Sequence, residues 1–363
     1  MIRLTAVAFC IMLLLPGMSW TETPSSAGPA PELDVLGRIH FNVNVSDFET
    51  SRAFYGALGF STLSGFPDAN TVAMAKAIGI DQPTTYDGSQ GGEPGGYLLH
   101  GELIGLGMGR GVIDLIEFTL PRNEEPPYPA LNRLGMARAV LESADVNADH
   151  EQLAKQGMTF LSAPVRRADG TLFVILKDPD GTFLELREVP GEPDNEAGTE
   201  IHRVGAVVIN VSDLERSIGW YKMFGYALTS RFGGQEGTEV ANAMGFADAV
   251  HLRGAVLEQE GDGSVIELVQ WLTPYDSTPP YPLPVNHLGI HRMAFTSSDI
   301  ESDVAKLEAT GMEMISPITP CCSGPDAWGG IIAFHDPDGT VLELAEMPFM
   351  TWLQRFTNLL RSF

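Results

Sequence analysis

This chain is written twice. Asn44-Val-Ser-Asp-Phe-Glu in the first half returns as Asn210-Val-Ser-Asp-Leu-Glu in the second. Pro127-Tyr-Pro, followed by Leu134-Gly, returns as Pro280-Tyr-Pro, followed by Leu288-Gly. Lys177-Asp-Pro-Asp-Gly-Thr-Phe-Leu-Glu-Leu returns as His335-Asp-Pro-Asp-Gly-Thr-Val-Leu-Glu-Leu. Matched blocks in one order mean two copies of one structural plan, so any fold for the first half must also serve the second. Between the copies runs Pro190-Gly-Glu-Pro-Asp-Asn-Glu-Ala-Gly, whose polar, Pro/Gly-rich composition is that of a linker.

Each half divides again into two units of similar layout. Ile39, Phe41, Val43 and Val45 alternate with His40, Asn42 and Asn44, which predicts a strand with one apolar and one polar face. Ser46 to Glu49 has the spacing of a capping box and recurs at Ser212 to Glu215, so a helix is expected to start at each serine. Gly59 and Gly225 are expected to stop those helices in the left-handed conformation. Strands are expected at 98–106 and 112–120. The second units open at 138–141 and 292–295, with helices from Asp145 and Asp299 that stop at Gly157 and Gly311. Asp-Pro-Asp-Gly at Asp178 and Asp336 predicts a turn into the closing strands 183–189 and 341–347. The pattern is β-α-β-β-β, used four times, an α+β architecture.

Of 363 residues, 47 are Asp or Glu and 22 are Lys or Arg, a formal net charge of −25. Such a surface repels phosphate backbones, so nucleic acid is not expected as a partner. The length suits two domains, here 36–190 and 201–347 with 191–200 between them. Arg3, the apolar run Ala6 to Leu15 and Pro16-Gly-Met-Ser resemble a secretory signal peptide over residues 1–19, cleaved near Ser19. A flexible segment, 20–35, would follow, and a secreted or periplasmic location is expected. The run is too short to span a bilayer, and no transmembrane segment is expected later. Cys10 would leave with the signal, and the adjacent Cys321 and Cys322 read as two thiols, with a vicinal disulfide as the alternative. The tail 348–363 places Trp352, Phe356, Leu359, Leu360 and Phe363 at helical spacing. It is expected to dock on its own domain or on a second subunit of a homodimer, with peripheral membrane contact as the alternative.

The opening strand with Val-Ser-Asp, the Phe-Tyr-x-x-Leu-Gly-Phe helix end at Phe54 to Phe60 and the Asp-Pro-Asp-Gly-x-x-x-Glu-Leu closers resemble the vicinal oxygen chelate superfamily. That superfamily includes glyoxalase I, extradiol dioxygenases and the bleomycin resistance proteins. The resemblance implies four βαβββ modules paired into two glyoxalase-like domains, each with curved mixed sheets forming a cup. In metal-using members two opening strands give a His or Gln and two later strands a Glu, and these four hold one divalent ion. Carried over, the positions are His40, Asp114, Arg138 and Glu185 in the first half, and Ala206, Glu267, Arg292 and Glu343 in the second.

Arginine has no lone pair to donate and cannot replace a histidine ligand, but its guanidinium can bridge two carboxylates. Arg138 is therefore expected to pair with Asp114 and Glu185, and Arg292 with Glu267 and Glu343. Asn42 and Asn210 face the presumed cups and could orient a ligand or bond neighbouring backbone. The favoured function is an exported protein with altered metal sites that needs no cofactor and binds a small organic molecule. The alternative is a metal-dependent lyase, isomerase or dioxygenase using Zn, Mn, Ni or Fe held by His40, Asp114 and Glu185, with Glu185 as the catalytic base. Ligand choice is expected to reside in the loops Gly65 to Gly96 and Phe232 to Ala249, where the halves match least.

Overall fold

The computed structural model of the protein describes residues 31–107, 109–321 and 329–361. The first module consists of β1 (Val35–Asn44), α1 (Phe48–Ala57), β2 (Ser61–Gly65), α2 (Val72–Ala77), β3 (Leu98–Gly105) and β4 (Val112–Leu120). The second has β5 (Gly135–Ser143), α3 (Val146–Lys155), the short strands β6 (Thr159–Phe160) and β7 (Val165–Arg166), β8 (Leu172–Lys177) and β9 (Phe183–Glu188). The third has β10 (Ile201–Asn210), α4 (Leu214–Tyr221), β11 (Tyr226–Glu236), α5 (Thr238–Ala243), β12 (Val250–Gln259) and β13 (Val265–Thr273). The fourth has β14 (Arg292–Ser297), α6 (Ile300–Ala309), β15 (Thr319–Cys321), β16 (Gly329–His335) and β17 (Val341–Glu346), and α7 (Pro348–Arg361) follows it.

The helix stops are where the glycines put them: Gly59, Gly225, Gly157 and Gly311 have φ of +109°, +77°, +88° and +87°, values that L side chains avoid. The starts differ by one residue from the capping-box expectation. Asp47, not Ser46, caps α1, its carboxylate accepting from the Thr50 amide at 2.8 Å. Asp213 does the same for α4. The serines are used elsewhere: Ser46 Oγ donates to Asp180 at 2.5 Å and Ser212 Oγ to Asp338 at 2.5 Å. Tyr55 and Tyr221 hydroxyls reach Asp178 and Asp336 at 3.3 and 3.0 Å. The recurring Val-Ser-Asp and Asp-Pro-Asp-Gly motifs thus recur because they hold each other within a half.

Two curled mixed sheets follow from the four modules, but each sheet is shared between the halves. One runs β15-β16-β17-β14-β1-β4-β3-β2, joining the first and fourth modules; the other runs β11-β12-β13-β10-β5-β9-β8-β6, joining the third and second. The seams are antiparallel: β1 pairs with β14 through His40 and Ala294, and β10 with β5 through Val208 and Arg138. Each cup is therefore built from one module of each half, not within a half.

One core cluster unites the inner faces of both sheets with helices α1, α3, α4 and α6, through residues such as Phe41, Leu141, Val207 and Phe295. The opposite faces form two separate clusters. Met74, Ala75 and Ala77 of α2 pack with Ile116, Ala294 and Ala345, while Val240, Ala241 and Ala243 of α5 pack with Val140, Val208 and Val269. Each cup is thus covered by a short helix from the segment where the two halves match least.

Cys321 is disulfide-bonded, so the two-thiol reading does not hold for it; Cys322 and Cys10 lie outside the described residues. Residues 1–19, where a signal peptide is expected, and Phe363 also lie outside them.

Candidate functional site

Period-2 strands carry the carried-over positions to the cup faces. Asp114 shares its face of β4 with Ile116 and Phe118, Arg292 shares its face of β14 with Ala294, and Glu343 lies between Val341 and Ala345 on β17. Because β1, β4, β14 and β17 are neighbours, His40, Asp114, Arg292 and Glu343 converge in the first cup. Ala206, Glu267, Arg138 and Glu185 converge in the second through β10, β13, β5 and β9. The expected pairing of Arg138 with Asp114, and of Arg292 with Glu267, is corrected by this sheet order. Likewise His40 and Asp114 do not meet Glu185, which belongs to the other sheet.

In the first cup one guanidinium serves two carboxylates. Arg292 Nη1 stands 2.9 Å from Glu343 Oε2 and Nη2 stands 3.5 Å from Asp114 Oδ2. Asn42 bridges, donating to Asp114 at 2.7 Å and accepting from Arg292 Nε at 3.0 Å. All of these groups are buried. Burial pushes Asp114 up to about 7 although Arg292 pulls the other way, and it raises Glu343 against the same pull. Ion-pair distances and raised carboxyl pKa values look contradictory, but one shared cation does not offset the desolvation of two buried carboxylates. Burial, then the charge of Arg292, takes His40 down to about 3, so its imidazole is neutral at pH 7. His40 Nδ1 and Asp114 Oδ1 are buried without a hydrogen-bond partner, and His40 Nδ1 is 3.8 Å from Asp114 Oδ2.

The second cup has the opposite balance. Glu185 accepts from Arg138 Nε at 2.8 Å, Arg167 Nη1 at 2.9 Å and Arg187 Nε at 2.9 Å. Arg187 also grips Glu267 with both terminal nitrogens. Three guanidinium groups for two carboxylates hold Glu185 well below the usual carboxylate range, although burial alone would raise it. Such a carboxylate is a poor proton acceptor, which argues against Glu185 as a catalytic base. Arg138 Nη1 is buried and has no partner.

Sequence reasoning missed Arg187, Arg167 and Tyr97. Arg187 was legible, since it lies two residues beyond Glu185 on the same face of β9. Arg167 follows the two-residue β7, leans on Phe173 at 3.8 Å and carries no periodic signal. Tyr97 is buried beside the first cup, close enough to be influenced by Arg292, Glu343 and Asp114. Asn210 is not a ligand group: it donates to the carbonyls of Leu131 and Arg133 at 2.7 Å each and accepts from Trp271. Glu117 points away, accepting from the Phe48 amide at the start of α1. Among the described residues, no three His, Cys, Asp or Glu side chains are grouped to hold a metal ion.

Four βαβββ modules, two curled sheets and carboxylates facing the opening strands define a protein of the vicinal oxygen chelate type. The chain belongs to the Glyoxalase/Bleomycin resistance protein/Dioxygenase superfamily, whose family model matches residues 37–186 and 203–344. Its fold is similar to that of glyoxalase I from Zea mays, with a TM-score of 0.59 at 18% identity over 88% of this chain and 95% of that one. A proposed dioxygenase from Bacillus subtilis subsp. subtilis str. 168 is also similar, with a TM-score of 0.53 at 14% identity over 88% of this chain and 87% of that one. At these identities the likeness concerns the fold. No curated protein matches the chain significantly.

Proposed function

We propose that the protein is exported and binds a small organic molecule in the cup of β1, β4, β14 and β17, with Arg292 in place of the family's divalent metal. The observation that carries this reading is the pair of buried polar atoms without a hydrogen-bond partner beside one guanidinium, His40 Nδ1 and Asp114 Oδ1. Leaving such atoms unpartnered costs about 1–3 kcal/mol each, and a ligand bearing hydroxyl or amide groups would recover that cost. A divalent ion does not fit this arrangement. The guanidinium already brings a positive charge to both carboxylates, at 2.9 and 3.5 Å, and the family's histidine position has no lone pair to give. The cup carries one guanidinium against two carboxylates, which favours a neutral or cationic ligand over an anion. Since α2 covers the cup, its movement would admit the ligand. The apolar run Ala6 to Leu15 supports export.

The test is the melting temperature and metal content of the purified protein. The expected result is a melt insensitive to chelator and to added Zn, Mn, Ni or Fe(II), with a saturable rise given by neutral or cationic compounds and lost in His40→Ala. About one tightly held ion per chain, with a chelator-sensitive melt, would overturn the reading in favour of a metalloenzyme.

A further inference from the structure

The C-terminal helix α7 is docked the wrong way round for a helix that merely completes a core. Its polar side faces the protein. Thr351 is buried, Asn358 Nδ2 donates to the Leu36 carbonyl of β1 at 2.7 Å, and Arg361 reaches Glu258 at 2.6 Å. Its apolar side faces out, with Phe349 68%, Trp352 59%, Phe356 47%, Leu359 55% and Leu360 58% exposed. Positions 349, 352, 356, 359 and 360 form one stripe at helical spacing. The rings make it continuous: Phe349 and Trp352 lie 6.2 Å apart, and Trp352 stacks on Phe356 at 5.8 Å.

We propose that this stripe is a membrane-contact surface, and that α7 lies in the interfacial region of a zwitterionic bilayer. Three observations favour lipid over a protein partner. First, the stripe has the composition of an interfacial helix, Trp, Phe and Leu on one face with the exposed Arg355 beside them. Second, the segment 348–363 contains no Asp or Glu in a chain with 47 in 363 residues, where about two would be expected in sixteen. A surface that meets lipid gains by excluding carboxylates, whose desolvation there is unfavourable. Third, five side chains of this size offer roughly 600 Å² of contact, short of the about 800 Å² per partner of a standard protein interface. The net charge of −25 repels anionic headgroups, so the lipid is zwitterionic.

The full chain and a Trp352→Ser/Phe356→Ser variant would be sedimented with phosphatidylcholine vesicles, with tryptophan emission recorded. Both substitutions are at exposed positions, so circular dichroism and melting temperature should be unchanged. The expected result is co-sedimentation and blue-shifted emission for the full chain, with partitioning at least tenfold weaker in the variant. A full chain that stays in the supernatant, or equal partitioning of the two, would overturn the proposal. So would a dimer by light scattering that the variant converts to monomer, which would assign the stripe to a second copy of the chain.

Discussion

At the scale of single residues, the two cups show how one substitution leads to opposite electrostatics. Arginine replaces the expected histidine at 138 and at 292, but its companions differ. Arg292 alone faces Asp114 and Glu343, whereas Arg138 is joined by Arg167 and Arg187 around Glu185 and Glu267. Asp114 is accordingly raised from 3.8 to about 7 in the folded protein. Between those values the folded chain holds a proton that the unfolded chain has released, so the contribution of Asp114 to stability is full below about pH 4 and declines as pH rises through about 7. Urea denaturation of the protein and of Asp114→Asn, across pH 4–8, should show the parent losing ground to the variant over that interval. A difference that stays constant with pH would mean that Asp114 keeps an ordinary pKa. The arginines were legible as the wrong residue type at ligand positions, and so was one partner of each, Glu185 for Arg138 and Glu343 for Arg292, but the second partner of each was not. Partner choice depends on which strands become neighbours.

Elements follow local rules closely enough that most were readable. The alternation of Ile39 to Val45, the glycine stops and the Asp-Pro-Asp-Gly turns all place structure where expected. The one-residue error at the helix starts has a physical cause. Ser46 and Asp47 are both good caps, and the choice between them was made by Asp180, 134 residues away in sequence, which takes the serine. In the turn, Asp178 Oδ1 accepts from the amides of Asp180, Gly181 and Thr182 at 3.1, 2.9 and 2.7 Å. Its other oxygen meets Tyr55. Asp178→Ala should cost about 3 kcal/mol in chemical denaturation, since buried donors lose their acceptor. A cost below about 1 kcal/mol would show that water takes over the turn. The covering helices α2 and α5 were not readable as helices. Each is six residues long, too short for periodicity to distinguish it from a loop.

At the scale of the molecule, the decisive fact is that sequence repeats and cups do not coincide. Four modules with the same alternation offer similar open strands, so nothing local distinguishes a partner within a half from one across halves. The pairing of β1 with β14 and of β10 with β5 settles it, and each half alone leaves two strand edges uncovered. Residues 31–190 and 191–363 produced separately should therefore each self-associate or aggregate, and together should form a one-to-one complex with the melting behaviour of the intact chain. Two soluble monomeric halves with independent melts would contradict the shared sheets.

Shared sheets also bind the histories of the two halves together. A duplicated chain with a private cup in each copy could lose one copy and keep a working site, and each copy could drift towards its own ligand. Here the first half supplies His40 and Asp114 to one cup and Arg138 and Glu185 to the other, so a change of backbone in either half is felt in both. Neither cup can be inherited alone, and a truncated descendant would retain none.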